Sequence, residues 1–353
     1  MIANLLKDLI FRYRSSKEGD FLEKTRGLKK FVKSPSYRKA LNLPNGQVES
    51  YELLGQGEYN RNYLFTHPYT REKLVLRLNF GSQMHLENQI KYEFETLKLL
   101  ETSGRTPIAI YVDDSKKEID FGVLVMEFLE GNHLDYKKEV FSAAECLADI
   151  HSLKLPDSQH LIEPKNSLRA ILDECEDMFK VFWDSNIADP GKKIEIRELL
   201  DIGQKRFTSI KDSEFKCIVN TELNSTNFLV KEGRASLVDW EKPIYGDPAQ
   251  DLGHFLAPTT TFWKTDVILT LEEMNNFIDY YIEMVGNRFP SKGLKERVMN
   301  FIPANCLRGI TWSAMAWVEY RQPDKEVFNE STFNKLDAYL SDDFLESIRE
   351  IIK

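Results

Sequence analysis

Cysteine is scarce here, at four in 353 residues. Cys146, Cys175, Cys217 and Cys306 are widely spaced, with no C-x-x-C pair, so buried free thiols are expected rather than a disulfide framework. The six histidines form no H-x-x-x-H or Cys/His group, which leaves a structural zinc site without ligands. With 17 Gly and 13 Pro the chain is neither collagen-like nor of low complexity. No run of about 18 uncharged apolar residues occurs, so no membrane span is expected. Lys7 and Asp8 interrupt the one early apolar stretch, which argues against a signal peptide. A soluble, cytoplasmic protein is the expectation, and no internal repeat is visible.

What is present is an ordinary globular balance, 42% apolar and 29% charged, in a length suited to two domains. Charge is unevenly placed: residues 1–50 carry 11 basic and 5 acidic side chains, a net of +6, and the remainder nets −15. Such an arm either meets an acidic partner or packs on the chain's own acidic body, and the second is expected. Ile2, Leu5, Leu6, Leu9, Ile10 and Tyr13 follow helical spacing and need covering. No aromatic-interleaved basic motif follows, so nucleic acid is not the expected partner.

Short alternating segments predict strands near 51–54, 63–66, 74–79, 108–113 and 122–127, interrupted by one helix over about 86–101. After Gly131 the periodicity turns helical, at 139–153, 168–183, 193–208 and most of 271–353. Only 216–240 breaks that run, with apolar pieces at 217–219, 228–230 and 236–238. The order predicts an α+β chain: a helical basic extension (1–48), a small lobe with an antiparallel sheet and one helix (49–130), and a larger helical lobe (131–353) carrying a hairpin at 216–240.

Several segments are suited to a nucleotide. Gly55 and Gly57, followed by Asn60, stand between two predicted strands; such a hairpin either turns its N–H groups onto phosphates or is a plain turn. In 74–78, alternation puts Leu74, Leu76 and Leu78 on one face and Val75 with Arg77 on the other. That pair suits an adenine floor and a phosphate cation, or is one exposed Arg on a half-buried strand. Glu93, beside Ile90 and Leu97, either clamps Arg77 or is a surface charge. Met126, Glu127 and Phe128 end an apolar strand at a polar bend, as a hinge pairing with an adenine edge would.

The most specific pattern is Val219-Asn220-Thr221-Glu222-Leu223-Asn224-Ser225-Thr226-Asn227, then Val238-Asp239-Trp240-Glu241, then Gly246-Asp247-Pro248-Ala249-Gln250-Asp251-Leu252. A carboxylate, four residues, an Asn, a hairpin and a second carboxylate is what phosphoryl transfer uses: one group for the attacking hydroxyl, two oxygens for Mg²⁺ on the phosphates.

With these motifs, residues 50–320 resemble the aminoglycoside phosphotransferase and choline kinase-like family, whose pattern is roughly H-G-D-x-x-x-x-N, I-D-W-E and G-D-P-x-x-D-L. The resemblance implies a two-lobed protein-kinase-like fold and ATP as cofactor. By the same resemblance Asn227 and Asp239 would be Mg²⁺ ligands, Arg77 the phosphate cation with Glu93 as its partner, and Met126–Phe128 the hinge. His151 would be structural. Two positions depart from the pattern: Asn220 stands for His, and Glu222 for the catalytic Asp. An extra methylene moves the carboxylate by about an ångström, which can cost roughly 10²-fold if the backbone is unchanged.

Three activities are therefore open. An ATP-dependent small-molecule kinase with Glu222 orienting the hydroxyl is the leading expectation. The alternative is a nucleotide-binding pseudokinase acting as scaffold or sensor, and transfer of another part of the nucleotide is a third. The acidic body favours a cationic acceptor. Trp263, Trp312, Trp317 and Tyr320 either cage such a cation or belong to the core.

Overall fold

The computed structural model describes residues 25–57, 59–322 and 330–353. The amphipathic segment anticipated at 2–13 lies outside the described residues. The chain divides into two compact units, one running to Phe94 and including Ala109–Phe128, the other formed by Glu95–Ile108 and Leu129–Lys353.

Among its described residues the first unit holds two short helices, α1 (Leu28–Phe31) and α2 (Pro35–Ala40), and the strands β1 (Glu52–Gln56), β2 (Asn60–Thr66), β3 (Lys73–Asn79), β4 (Ala109–Asp113) and β5 (Gly122–Glu127). These make one antiparallel sheet in the order β1-β2-β3-β5-β4. All five lie within a few residues of the predicted strands. Alternation along β3 sends Leu74, Leu76 and Leu78 into a core with Val123 and Val125. Leu28, Phe31, Val32, Tyr37, Leu41 and Leu43 close that core. Residues 28–43 thus gain from apolar burial, the dominant favourable term in packing. Ser34 caps α2 by accepting from the Tyr37 N–H, and Pro35 opens the helix. Arg38, one of the basic side chains of this segment, is buried and pairs locally with Glu49 at 2.7 Å. Helix α3 (Gln89–Leu100) begins in this unit and ends in the second.

In the second unit, a two-residue strand β6 (Asn132–His133) is followed by α4 (Val140–His151), α5 (Ser167–Asp184) and α6 (Pro190–Phe207). Asn166 and Asp189 cap α5 and α6 with their side-chain oxygens. Four short strands follow: β7 (Cys217–Val219), β8 (Phe228–Lys231), β9 (Arg234–Leu237) and β10 (Ile244–Gly246). They pair as β7 with β10, and as a small sheet in the order β6-β8-β9. Helices α7 (Pro248–Leu256), α8 (Pro258–Thr265), α9 (Leu271–Val285), α10 (Leu294–Glu319), α11 (Glu330–Tyr339) and α12 (Asp342–Ile352) complete the unit. The sequence missed β6, β10 and α8, because two or three residues carry no period and a single residue, Ala257, separates α8 from α7.

The 26-residue α10 packs against both α5 and α7. Glycines permit close approach at two places: a Cβ at Gly253 on α7 would collide with Phe301 of α10, and one at Gly309 on α10 would lie 2.5 Å from the Cβ of Thr259 on α8. Among the described residues no helix is long and apolar enough to cross a membrane. All four cysteines are buried free thiols, and burial pushes Cys146, Cys175 and Cys306 up to about 12.

Candidate active site

In the first unit, β1 and β2 meet in a tight turn where the Gly57 N–H donates to the Asn60 carbonyl at 2.9 Å. A Cβ at Gly55 would meet nothing within 4 Å, so the space beside this turn is open. Asn60 is buried, and its side-chain oxygen accepts from Asn79 Nδ2 at 2.8 Å. That contact fixes the base of the hairpin. Arg77 is 4% exposed, which removes the reading of a solvated strand cation. Its Nη1 meets Glu93 Oε1 at 2.5 Å and its Nε donates to Asn62 Oδ1 at 3.0 Å. A buried guanidinium is retained only when paired, and Glu93, 1% exposed, is paired in turn. Val75 lies opposite Met126 in the β3–β5 register, and Leu74 opposite Glu127. The Phe128 N–H donates to the Lys73 carbonyl at 3.1 Å, ending the ladder where the hinge was expected.

In the second unit, the segment after β7 is organised by one carboxylate. Asp251, on α7, is fully buried. It accepts from the Asn220 and Thr221 N–H groups at 2.8 Å each. Its Oδ2 also lies 3.2 Å from His151 Nε2, whose other ring nitrogen meets the Tyr281 hydroxyl at 2.7 Å. His151 is wholly buried, as a structural histidine should be. The helix that presents Asp251 starts at Asp247, which caps α7 through the Ala249 N–H and pairs with Arg297 at 2.6 Å. Pro248 sits at the first helical position. The G-D-P-x-x-D-L run therefore builds a capped helix whose carboxylate holds the loop.

That loop is strained and over-determined. Thr221 has φ 72°, an outlier for a β-branched residue. Its N–H is taken by Asp251, its hydroxyl donates to the Lys242 carbonyl at 2.8 Å, and its carbonyl accepts from Arg308 Nη1 at 3.2 Å. Asn220 donates through Nδ2 to the Asp239 carbonyl at 2.9 Å and accepts from the Glu222 N–H at 3.1 Å. Asn227 Nδ2 donates to the Glu222 carbonyl at 2.9 Å. Asp239 also has positive φ, 65°, at the turn after β9, and Trp240 behind it is buried, donating Nε1 to the Leu237 carbonyl at 3.2 Å. Glu222, Asn227 and Asp239 are thus joined through two side-chain amides.

The Glu222 carboxylate meets Arg308 Nη2 at 2.9 Å through Oε1 and lies 4.0 Å from Lys242 Nζ. Arg308 also binds Glu174 through Nε at 2.9 Å, and Lys242 meets Glu174 at 2.6 Å. Burial pushes the Glu222 carboxyl up, but Arg308 and Lys242 outweigh it and hold it below the usual range. The same balance brings Glu174 down to about 2. Arg308, flanked by both carboxylates, stays charged despite burial. His254 Nδ1 lies 2.8 Å from the Leu223 carbonyl, and burial with the nearby Arg308 charge lowers it to about 4, a neutral imidazole.

Sequence reasoning missed Arg308 and Glu174, which sit in long helices with no motif. Lys242 had a signal, immediately after Asp239-Trp240-Glu241. The aromatic residues do not form one open cage. Arg321 lies 3.8 Å from the Trp317 ring centroid and 4.9 Å from that of Phe333, while Tyr320 is buried. Trp263 and Trp312 instead meet edge to face at 5.1 Å. Among the described residues no three His, Cys, Asp or Glu side chains gather as a metal centre.

A two-unit fold with this loop, a paired strand arginine and a capped G-D-P helix is of the kinase-like phosphotransferase class. Residues 50–281 match the model of the phosphotransferase enzyme family, and the chain belongs to that family. No curated protein matches its sequence. Among solved structures it is similar to a spectinomycin phosphotransferase in complex with ADP and spectinomycin, at 14% identity and TM-score 0.61, covering 87% of this chain and 94% of that one. A Plasmodium vivax ethanolamine kinase aligns at 17% identity and TM-score 0.62, covering 98% and 94%. An amicoumacin kinase in complex with AMP-PNP, Ca²⁺ and Ami aligns at 14% identity and TM-score 0.59, covering 91% and 95%. These likenesses establish the shared protein-kinase-like fold.

Proposed function

We propose that this chain transfers the γ-phosphate of ATP to a hydroxyl of a small, cationic acceptor. In that reaction the acceptor oxygen forms a bond to phosphorus, the bond from phosphorus to the β–γ bridging oxygen breaks, and ADP leaves. The hydroxyl proton passes to Glu222. The observation that carries the reading is the lattice of the second unit, in which Asn220 and Asn227 tie the backbones of Glu222 and Asp239 into one arrangement. Among the described residues Glu222 Oε2 takes no hydrogen bond, and the side chain is one-third exposed. It has an oxygen to offer.

The donor chemistry fits Mg²⁺. Asn227 and Asp239 supply hard oxygens, and because Asn227 Nδ2 is engaged by the Glu222 carbonyl, its Oδ1 is the atom left for a cation. Two protein donors suit an ion that also takes phosphate oxygens and waters. Bound there, Mg²⁺ would offset the charge of the β- and γ-phosphates. In the first unit Gly55, Gly57 and Asn60 would form the turn over the phosphates, and Arg77, braced by Glu93, would contact them. Val75 with Met126, Glu127 and Phe128 would receive adenine. A cationic acceptor is favoured by net −15 outside residues 1–50. It is also favoured locally, since Glu174 and Glu222 are about a third exposed whereas Arg308 and Lys242 beneath them are 12% and 16% exposed.

The ion pair between Glu222 and Arg308 favours a second reading, nucleotide binding without transfer, since a paired carboxylate is a weaker base. Phosphoryl transfer depends more on positioning than on base strength, so the enzyme reading stands first. MgATP should raise the melting temperature of the wild type and not of Asp239→Ala. ATP consumption should rise with members of a panel of amine-bearing alcohols. Equal melting shifts in both proteins would count against the nucleotide site; binding without consumption would favour the second reading.

A further inference from the structure

We propose that Arg308 is a positioning residue of the transfer reaction, clamping one oxygen of Glu222 so that the other is presented in a fixed place. The inference rests on the functional reading above and adds to it the device that lets a glutamate occupy the place of the family's aspartate. A Glu side chain has one more rotatable bond than Asp, so its carboxylate sweeps a larger volume unless something stops it. Proximity catalysis is lost steeply when a reacting group is misplaced by about an ångström.

Arg308 has the geometry of a clamp. All three guanidinium nitrogens are engaged: Nε with Glu174 at 2.9 Å, Nη1 with the Thr221 carbonyl at 3.2 Å, and Nη2 with both Glu174 at 3.2 Å and Glu222 at 2.9 Å. A planar fork held at every nitrogen has no freedom to rotate. Glu174, from α5, is the backing of the fork, and Lys242 steadies Glu174 in turn at 2.6 Å. The fork grips the Glu222 side chain and the carbonyl of the strained residue before it, so backbone and carboxylate are fixed by one group. The base of the fork is secured because α10 is packed against α5 and α7.

The test uses the full chain, MgATP as nucleotide, and water or amine-bearing alcohols as acceptor. Arg308→Met should lower kcat by about 10- to 10²-fold with the KM for MgATP within about twofold, because the nucleotide contacts lie elsewhere. Arg308→Lys keeps the charge but not the fork, and should recover only part of the loss. Crystal structures should show Glu222 in more than one rotamer in Arg308→Met, with the Asn220–Asp239 and Asn227–Glu222 hydrogen bonds intact. Full recovery by Arg308→Lys, or a single unchanged Glu222 rotamer in Arg308→Met, overturns the clamp. Turnover by Arg308→Met within about threefold of wild type also overturns this role, leaving the functional reading in place. A wild type that consumes no ATP with any acceptor overturns both.

Discussion

Asp251→Asn is the substitution that best separates this account of the loop from a looser one. The carboxylate is fully buried and accepts two backbone N–H bonds at 2.8 Å, one on each oxygen. Asparagine keeps the shape and one acceptor oxygen but presents an NH₂ to the other N–H. Hydrogen bonds to a charged group are worth about 1.5–3 kcal/mol each, and an orphaned buried donor costs about 1–3 kcal/mol more. Loss of one bond, weakening of the other and one orphaned N–H together give about 3–5 kcal/mol of destabilisation. Urea unfolding followed by tryptophan fluorescence is the assay. All five tryptophans, Trp183, Trp240, Trp263, Trp312 and Trp317, lie in the second unit, so the signal reports that unit alone. With a slope of about 2–3 kcal/mol per M, the midpoint should fall by about 1–2.5 M. Asp279→Asn, which removes an exposed partner of Lys295, is the control and should change stability by less than about 1 kcal/mol. A midpoint for Asp251→Asn within about 0.3 M of wild type would refute the claim that this carboxylate holds the loop.

Two further predictions concern the same region. Glu222→Gln should lower kcat by about 10²–10⁴-fold while leaving MgATP affinity nearly unchanged, because a general base acts on the transition state; Glu222→Asp should also be slower, its carboxylate falling short of the place Arg308 defines. Steady-state kinetics with isothermal titration checks both, and faster turnover in Glu222→Asp would contradict the reading. Stability of the second unit should fall as pH drops. His254 titrates near 4 in the folded chain against about 6.5 unfolded, so the unfolded state takes the proton first. The contribution is complete above about pH 6.5 and is lost between about 6.5 and 4, by at most about 3 kcal/mol; the lowered carboxyls of Glu174 and Glu222 act in the same direction at lower pH. Urea midpoints at pH 7 and 5 should therefore differ more for wild type than for His254→Gln, and equal differences would sink the assignment.

Much of this protein was set by local pattern. Period-two alternation alone placed Leu74, Leu76 and Leu78 on one face and Val75 with Arg77 on the other, because successive strand side chains must point to opposite sides. Most helices of the second unit were legible from their apolar periodicity, α8 excepted. The order Glu222, Asn227, Asp239 was legible as a candidate site, because the metal and phosphate chemistry proposed for it needs particular oxygens at short spacing. Tertiary structure decided the rest. Whether Arg77 was solvated or paired depended on Glu93 arriving from a helix sixteen residues on, and alternation is silent about what covers a face. That Leu28, Phe31, Val32, Tyr37, Leu41 and Leu43 of the basic segment join the core of the first sheet was likewise decided only in three dimensions. Trp317 is covered by Arg321, one helical turn away on the same face, a contact that composition did not reveal. Above all, the state of Glu222 is set by Arg308, which is 86 residues later in the chain, and by Glu174 from another helix. A carboxylate's charge partners are fixed by which helices pack together, and in a sequence neither residue stands near the loop it controls.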